Sequence, residues 1–341
     1  MSEVGESGFP PEYVSSDQLS RRQLVLRRGR LAAVLALVLA GGLVLPFPLH
    51  GRLWAEIFDL AHAPAFFATL LCLVGFFDPA AAGVPSAQTL VPMTFHRAVL
   101  VALGLTFVGL TGEFLQKFAN RTPSWGDVAA NSAGLLAALF WIAAFTQQRG
   151  RRVLLLVAAV SMLSLISLDP ILQIEDCVQQ IRSFPLLASF ERNRELGGWW
   201  PEEAEIERSR EWASDGQYSL KIMTRPAWFT GASMECLNRD WTTCRRLLLD
   251  IFNPQKETLT LTIKLYDQKH KADGFESNDR FEHSVVVPPD SRITVSIPFA
   301  DVTAAPEYRD MQLNNMAGIE LFSVNTRQPH VYFVDHVRLE P

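Results

Sequence analysis

Three polar pairs at helical spacing interrupt the most apolar part of the sequence: Asp59-x-x-His62, Glu113-x-x-Gln116 and Asp127-x-x-x-Asn131. Separations of three and four residues put both members of a pair on one helix face. Carboxylates, an imidazole and amides in one place can bind hydroxyls or a polar headgroup. His62, Glu113 and Asp127 also have the residue types of an acid, a base and an orienting group for a hydrolase or transferase. No nucleophile elbow, no Cys beside His62, and no zinc, phosphate-loop or dinucleotide motif accompanies them. The competing reading of the same residues is interhelical glue, with Asp59 and Asp127 as helix N-caps.

The elements that must position these pairs are five apolar runs, at about Leu31–Pro48, Leu60–Phe77, Ala98–Leu115, Val128–Phe145 and Val153–Leu168. Each is close to the shortest helix that spans a hydrocarbon core of ~30 Å. Ionisable groups in such segments are costly and are expected to face one another or a wet cavity. Successive spans alternate in direction, so the start of the second, the end of the third and the start of the fourth meet at one membrane face. Charge sets the orientation. Arg21, Arg22, Arg27, Arg28, Arg30, Arg97, Arg149, Arg151 and Arg152 fall on one side, against Arg52, Lys117 and Arg121 on the other. The basic side is expected to be cytoplasmic, which places the N-terminus inside, the polar rim at the outer leaflet and the C-terminal half outside. Ser20-Arg21-Arg22 has a faint twin-arginine look, but a basic run before an uncleaved signal anchor accounts for it. Residues 1–30 read as a basic, disordered cytoplasmic tail.

Read together, Asp59-Leu-Ala-His62-Ala-Pro-Ala-Phe66-Phe67, Gly112-Glu113-Phe114-Leu115-Gln116, Asn120-Arg121-Thr122-Pro123-Ser124 and Asp127-Val-Ala-Ala-Asn131-Ser-Ala-Gly134 resemble the VanZ-like family over residues 31–145. The resemblance implies a role in the bacterial envelope and a link to glycopeptide resistance. Ala61 and Pro64 depart from the family pattern, while the carboxylate, amide and arginine set is intact. Independently of the family, Arg121 is expected to bridge Glu113 or Asp127, with Gln116 and Asn131 donating. The rim of Asp59, His62, Glu113, Gln116, Arg121, Asp127 and Asn131 then becomes a candidate pocket for a headgroup or a lipid-linked saccharide.

Residues 169–185 read as a link, with Asp169-Pro170 as a helix stop, and residues 186–341 as a separate exported domain. Nine strand-like runs recur there: Leu186–Glu191, Gln217–Ile222, Phe229–Cys236, Arg245–Phe252, Thr258–Tyr266, Phe281–Val287, Arg292–Pro298, Gly318–Val324 and Val331–Leu339. Alternation such as Leu259-Thr-Leu-Thr-Ile-Lys-Leu-Tyr266 belongs to sheets with one buried face, and short strands without a long helix predict an all-β jelly-roll sandwich. A hairpin centred on Asp240 would set Cys236 opposite Cys244 for a disulfide. Phe190-Glu191 with Trp199-Trp200, Gly216-x-Tyr218-Ser219-Leu220-Lys221-Ile222 and Phe333-Val334-Asp335-His336-Val337-Arg338-Leu339 resemble galactose-binding-like carbohydrate-binding modules. That resemblance implies a structural calcium shared by Glu191 and Asp335, with a salt link as the alternative.

A polar stretch, Asp267-x-x-His270 followed by Asn278-Asp279-Arg280-Phe281, is a candidate sugar-binding loop or a solvated one. The exported half carries 18 Lys and Arg against 24 Asp and Glu, which argues against nucleic acid as a partner. The expected protein is thus a polytopic α-helical membrane domain of about five transmembrane helices, residues 31–168, followed by the sandwich. Its expected partners are membrane lipids and an envelope glycan or lipid-linked saccharide. An enzyme acting at the rim and an anchor with a protein-binding sandwich are the alternatives.

Overall fold

Runs of Leu, Ala, Val and Phe carry four segments into helices long and apolar enough to cross a membrane. The computed structural model describes residues 26, 28–29, 51–83, 89, 92–116 and 124–341. Its long helices are α1 (Arg52–Phe77), α2 (Phe95–Gln116), α3 (Trp125–Ala144) and α4 (Arg149–Arg182). The first expected run, Leu31–Pro48, and Arg121 lie outside the described residues. The described chain divides into two units, one of residues 59–168 and the other of residues 51–58 with 169–341.

In the first unit, Phe66, Leu70 and Val74 of α1 pack with Ala98 and Ala102 of α2 and with Leu135, Ala138 and Ile142 of α3. Small residues let these helices approach closely, the usual basis of packing where lipid removes the hydrophobic drive. Gly134 of α3 lies against the backbone of α1, and a Cβ there would stand 2.2 Å from Ala63 O. Hydroxyls within the helices fold back on carbonyls one turn earlier, as Thr69 on Ala65 and Thr106 on Ala102, and so are not left unpaired. Along α4, Val153, Leu154, Val157, Val160 and Leu165 are exposed.

Two expectations about helix ends are corrected. Helix α1 starts at Arg52, ahead of the apolar run, so Asp59 lies inside the helix and is not its cap. Asp169-Pro170 does not stop α4, which continues to Arg182. Proline removes one N–H and crowds one carbonyl, and a long helix with partners on both sides of the break absorbs that loss.

In the second unit, the beginning of α1 and the end of α4 grip the segment before the sandwich. The buried Arg52 guanidinium donates to Asp176 Oδ2 at 3.1 Å, Gln173 Oε1 at 2.6 Å and Arg194 O at 3.0 Å. Arg192 donates to the other oxygen of Asp176 at 2.8 Å. Gly197 leaves room for the guanidinium, since a Cβ there would stand 2.9 Å from Arg52 Nη2.

The sandwich is antiparallel throughout. One sheet orders β3 (Ala204–Ser209), β4 (Ser219–Thr224), β11 (Val331–Glu340), β6 (Arg246–Asn253) and β9 (Ser291–Pro298), with β1 (Leu186–Ala188) also on β11. The other orders β2 (Trp199–Glu202), β5 (Phe229–Glu235), β10 (Met316–Val324), β7 (Leu259–Asp267) and β8 (Phe281–Val287). Between β4 and β7, and again between β8 and β11, the chain changes sheet with each strand, the jelly-roll habit. Leu220, Ile222, Leu247, Leu249 and Ile251 of one sheet meet Leu261, Ile263, Leu265, Ile319 and Leu321 of the other in the core.

That alternation overturns the expected hairpin at Asp240. Strand β5 belongs to one sheet and β6 to the other, so the segment between them crosses the sandwich. Cys236 and Cys244 are buried free thiols. Trp241, fully buried in that crossing, stacks on Phe299 with ring centroids 5.5 Å apart.

Candidate functional site

Helices α1 and α3 bring their polar pairs together. His62 Nδ1 lies 2.9 Å from Asn131 Oδ1, and His62 Nε2 lies 3.8 Å from Asp127 Oδ2. One ligand-type atom each of Asp59, His62 and Asp127 falls within 4.8 Å of the others. Their burial is graded, with Asp59 exposed, His62 partly covered and Asp127 buried. Glu113 of α2 is buried beside them and accepts from Ser124 N at 3.1 Å. Asp127 does not cap α3. Ser124 does, accepting from Gly126 N and Asp127 N through its hydroxyl. Arg121 is outside the described residues, as is the side chain of Gln116.

The expected sugar loop of the sandwich spends its polar groups on itself. Asp267, fully buried, caps the short helix α5 (Gln268–Ala272) by accepting from His270 N. Arg309 then clamps Asp267 through both terminal nitrogens, at 2.5 and 2.8 Å, and Asp279 through Nε and Nη2, at 2.5 and 2.8 Å. Burial works against the Asp267 carboxylate, but the bonds from Arg309, His270 N and Gln312 N hold it below the ordinary range. The His270 ring is enclosed, 5.4 Å from Tyr266 and 5.3 Å from Phe275 between centroids. Asn278 donates to Glu307, and Arg280 pairs with Glu282. Sequence reasoning missed Arg309, which lies 42 residues from Asp267 with no motif to announce it.

Glu191 and Asp335 hold the two ends of one loop. Asp335 accepts from the N–H groups of Ser214, Asp215 and His336, and Glu191 accepts from those of Gln217 and Tyr218. Burial pushes the Asp335 carboxyl up despite these bonds. The pair does not fit calcium, which needs several bare oxygen ligands. Here N–H dipoles point their positive ends at the oxygens a cation would require.

The loop so held covers the outer face of the six-stranded sheet. Trp212 stacks on Phe252 at 5.3 Å, and Ser214 donates to Asp250. On the outer face of the five-stranded sheet Trp200 and Glu202 are exposed, Phe229, Ser233 and Glu320 are half-buried, and Lys264 and Phe322 are buried. Trp200, Ser233, Glu320 and Lys264 stand in one cross-strand row, and Glu202, Gly231 and Phe322 in the next. A concavity there is lined by Glu202, Phe229, Ser233, Glu320 and Phe322. Gly231 lies between Glu202 and Phe322 in its row, and a Cβ there would strike Leu321 O at 2.0 Å. Lys264 Nζ is 3.2 Å from both oxygens of Glu320. Glu320 and Phe322 alternate with the core residues Ile319 and Leu321, a period of two through which sequence reasoning could have found this face.

No family model and no curated protein matches the sequence. Among solved structures, an exo-β-agarase aligns at 15% identity over 46% of this chain and 24% of that one, with a TM-score of 0.38, so the alignment takes in about a quarter of the agarase. A family 11 carbohydrate-binding module from Clostridium thermocellum, in complex with a β-1,3-1,4-mixed-linked tetrasaccharide, aligns at 15% identity over 46% of this chain and 94% of that one, TM-score 0.37. A family 22 xylan-binding domain aligns at 16% identity over 45% and 90%, TM-score 0.30. None of these values carries a ligand or a site over to this chain.

Proposed function

We propose that this chain is a multi-pass protein of a bacterial inner membrane whose exported sandwich binds an envelope glycan on the outer face of its five-stranded sheet. The concavity lined by Glu202, Phe229, Ser233 and Glu320 is the observation that carries the reading. Carboxylates at Glu202 and Glu320 can each accept from paired sugar hydroxyls, Ser233 adds a hydroxyl, and the exposed ring of Trp200 together with the half-buried Phe229 offers apolar surface to sugar C–H groups. The face carries more acidic than basic groups, which favours a neutral glycan over an anionic one. The membrane half, VanZ-like in its polar pairs, would handle a lipid headgroup or lipid-linked saccharide at the outer leaflet. A part in glycopeptide resistance belongs to the same reading.

The test uses the intact protein in lipid nanodiscs on an array of neutral and anionic glycans. Retention of a neutral glycan, reduced at least tenfold by Glu320→Gln and by Trp200→Ala in folded protein, is the expected result. Absence of retention on the array, or retention that neither substitution changes, removes this face from the account.

A further inference from the structure

We propose that Asp59, His62 and Asp127 form a binding site for one divalent first-row metal ion of the zinc or manganese type. The argument begins with Asn131. An amide oxygen only accepts hydrogen bonds, so the 2.9 Å approach of His62 Nδ1 to Asn131 Oδ1 places the imidazole hydrogen on Nδ1. In the neutral ring Nε2 then carries a lone pair, and it faces Asp127. The separation of 3.8 Å exceeds hydrogen-bond length. It suits two atoms that share a metal, since bonds of about 2.0–2.2 Å set neighbouring ligands roughly 3–4 Å apart.

Asn131 adds a second observation. The residue is 3% exposed, and its Nδ2 has no hydrogen-bond partner among the described residues. Its oxygen is thus committed to the imidazole while a buried donor stays unsatisfied, an unfavourable arrangement. Fixing the other nitrogen of a ligating histidine is what an outer-shell partner of a metal does. Neither carboxylate is a helix cap, since Ser124 caps α3 and Asp59 lies within α1.

Charge and access agree with this assignment. A divalent ion held by Asp59 and Asp127 carries two positive charges to match their two negative ones. Asp59 leaves one side of the site uncovered by the protein. Three protein ligands leave at least one coordination position for water or another oxygen ligand. One imidazole with two carboxylates suits a borderline cation, with zinc bound more tightly than manganese. The proposal is independent of glycan binding by the sandwich.

The experiment titrates intact, chelator-treated protein in detergent with zinc chloride by calorimetry, with magnesium chloride as the hard-cation comparison. The expected result is one equivalent of zinc bound and magnesium bound far more weakly. His62→Ala and Asp127→Asn should each weaken zinc binding by more than tenfold, while His270→Gln leaves it unchanged. Asn131→Leu should weaken it, and Asn131→Asp, which keeps the acceptor, should restore it. Each variant is scored after circular dichroism shows its helix content intact, and Asp59→Asn at the exposed corner stands in for any that fails. Cobalt absorption bands in the wild type that vanish in His62→Ala or its stand-in would report ligation directly. Absence of zinc binding, or binding undiminished in these variants, overturns the proposal.

Discussion

Burial between Tyr266 and Phe275 disfavours the charged form of His270, and the nearby Lys264 adds to it, so the imidazole pKa is held below its ordinary value. Asp279, with an oxygen 3.8 Å from Nδ1, and Asp267 pull the other way without prevailing, while Arg280 sides with burial. A base with a depressed folded pKa adds stability above its unfolded pKa, and loses it as the pH falls from there through the folded value. Thermal melts of the protein should therefore shift down as the pH drops from about 6.5, the unfolded reference for histidine. His270→Phe fills the same space between the two rings without an unsatisfied nitrogen, and its melting temperature should fall less over that interval. Equal slopes in the two proteins would show that His270 is not the titrating group. The polar types of this loop were legible in the sequence. Their burial was not, because it depends on Arg309 and on ring packing that only the folded chain assembles.

At the scale of elements, the meeting of the polar pairs of α1 and α3 was legible because helical spacing is a local property and the run of apolar residues fixes which segments must pair. All nine expected strands form. The two that escaped, β2 and β3, are the first strands in their sheet orders, one carrying Pro201 and the other Glu205, Glu207 and Arg208. Their outer positions spare them the continuous apolar pattern that marks a central strand. The contact that sets helix α1 against α3 was present in the sequence only as a glycine. Gly134 lies one turn beyond Asn131 and touches Ala63, the residue after His62. Gly134→Leu should push the helices apart at the rim and destabilise the membrane unit by at least ~1–3 kcal/mol. The measurement is the fraction of monodisperse protein recovered in detergent on heating. A variant with wild-type thermal stability would mean that α1 and α3 do not pack through this glycine.

Across the whole molecule, positions far apart in the sequence depend on one another through Arg52. The residue is 5% exposed, and its partners Gln173, Asp176 and Arg194 come from the other end of the helical half and from the approach to the sandwich. Removing one member of a buried ion pair leaves the other uncompensated, a loss of about 3–5 kcal/mol. Arg52→Ala should lower the unfolding temperature of the sandwich unit and expose residues 189–198 to protease, while Arg52→Ala with Asp176→Asn recovers part of the loss. Wild-type protease resistance in the single variant would refute the clamp.

The same arginine sets a clock on biosynthesis. Arg52 leaves the ribosome 142 residues before the carbonyl of Arg194 that it must meet. At roughly 5–20 residues per second, that interval lasts about 7–30 s. For the first 121 residues of it a cation destined for burial has none of these three partners, and the four long apolar helices between Arg52 and Arg182 must be inserted before it ends. Nascent chains arrested before Arg194 cannot complete the knot however well their helices have packed. Quality-control proteases therefore have a defined window in which to act, and its close coincides with emergence of the first residues of the sandwich.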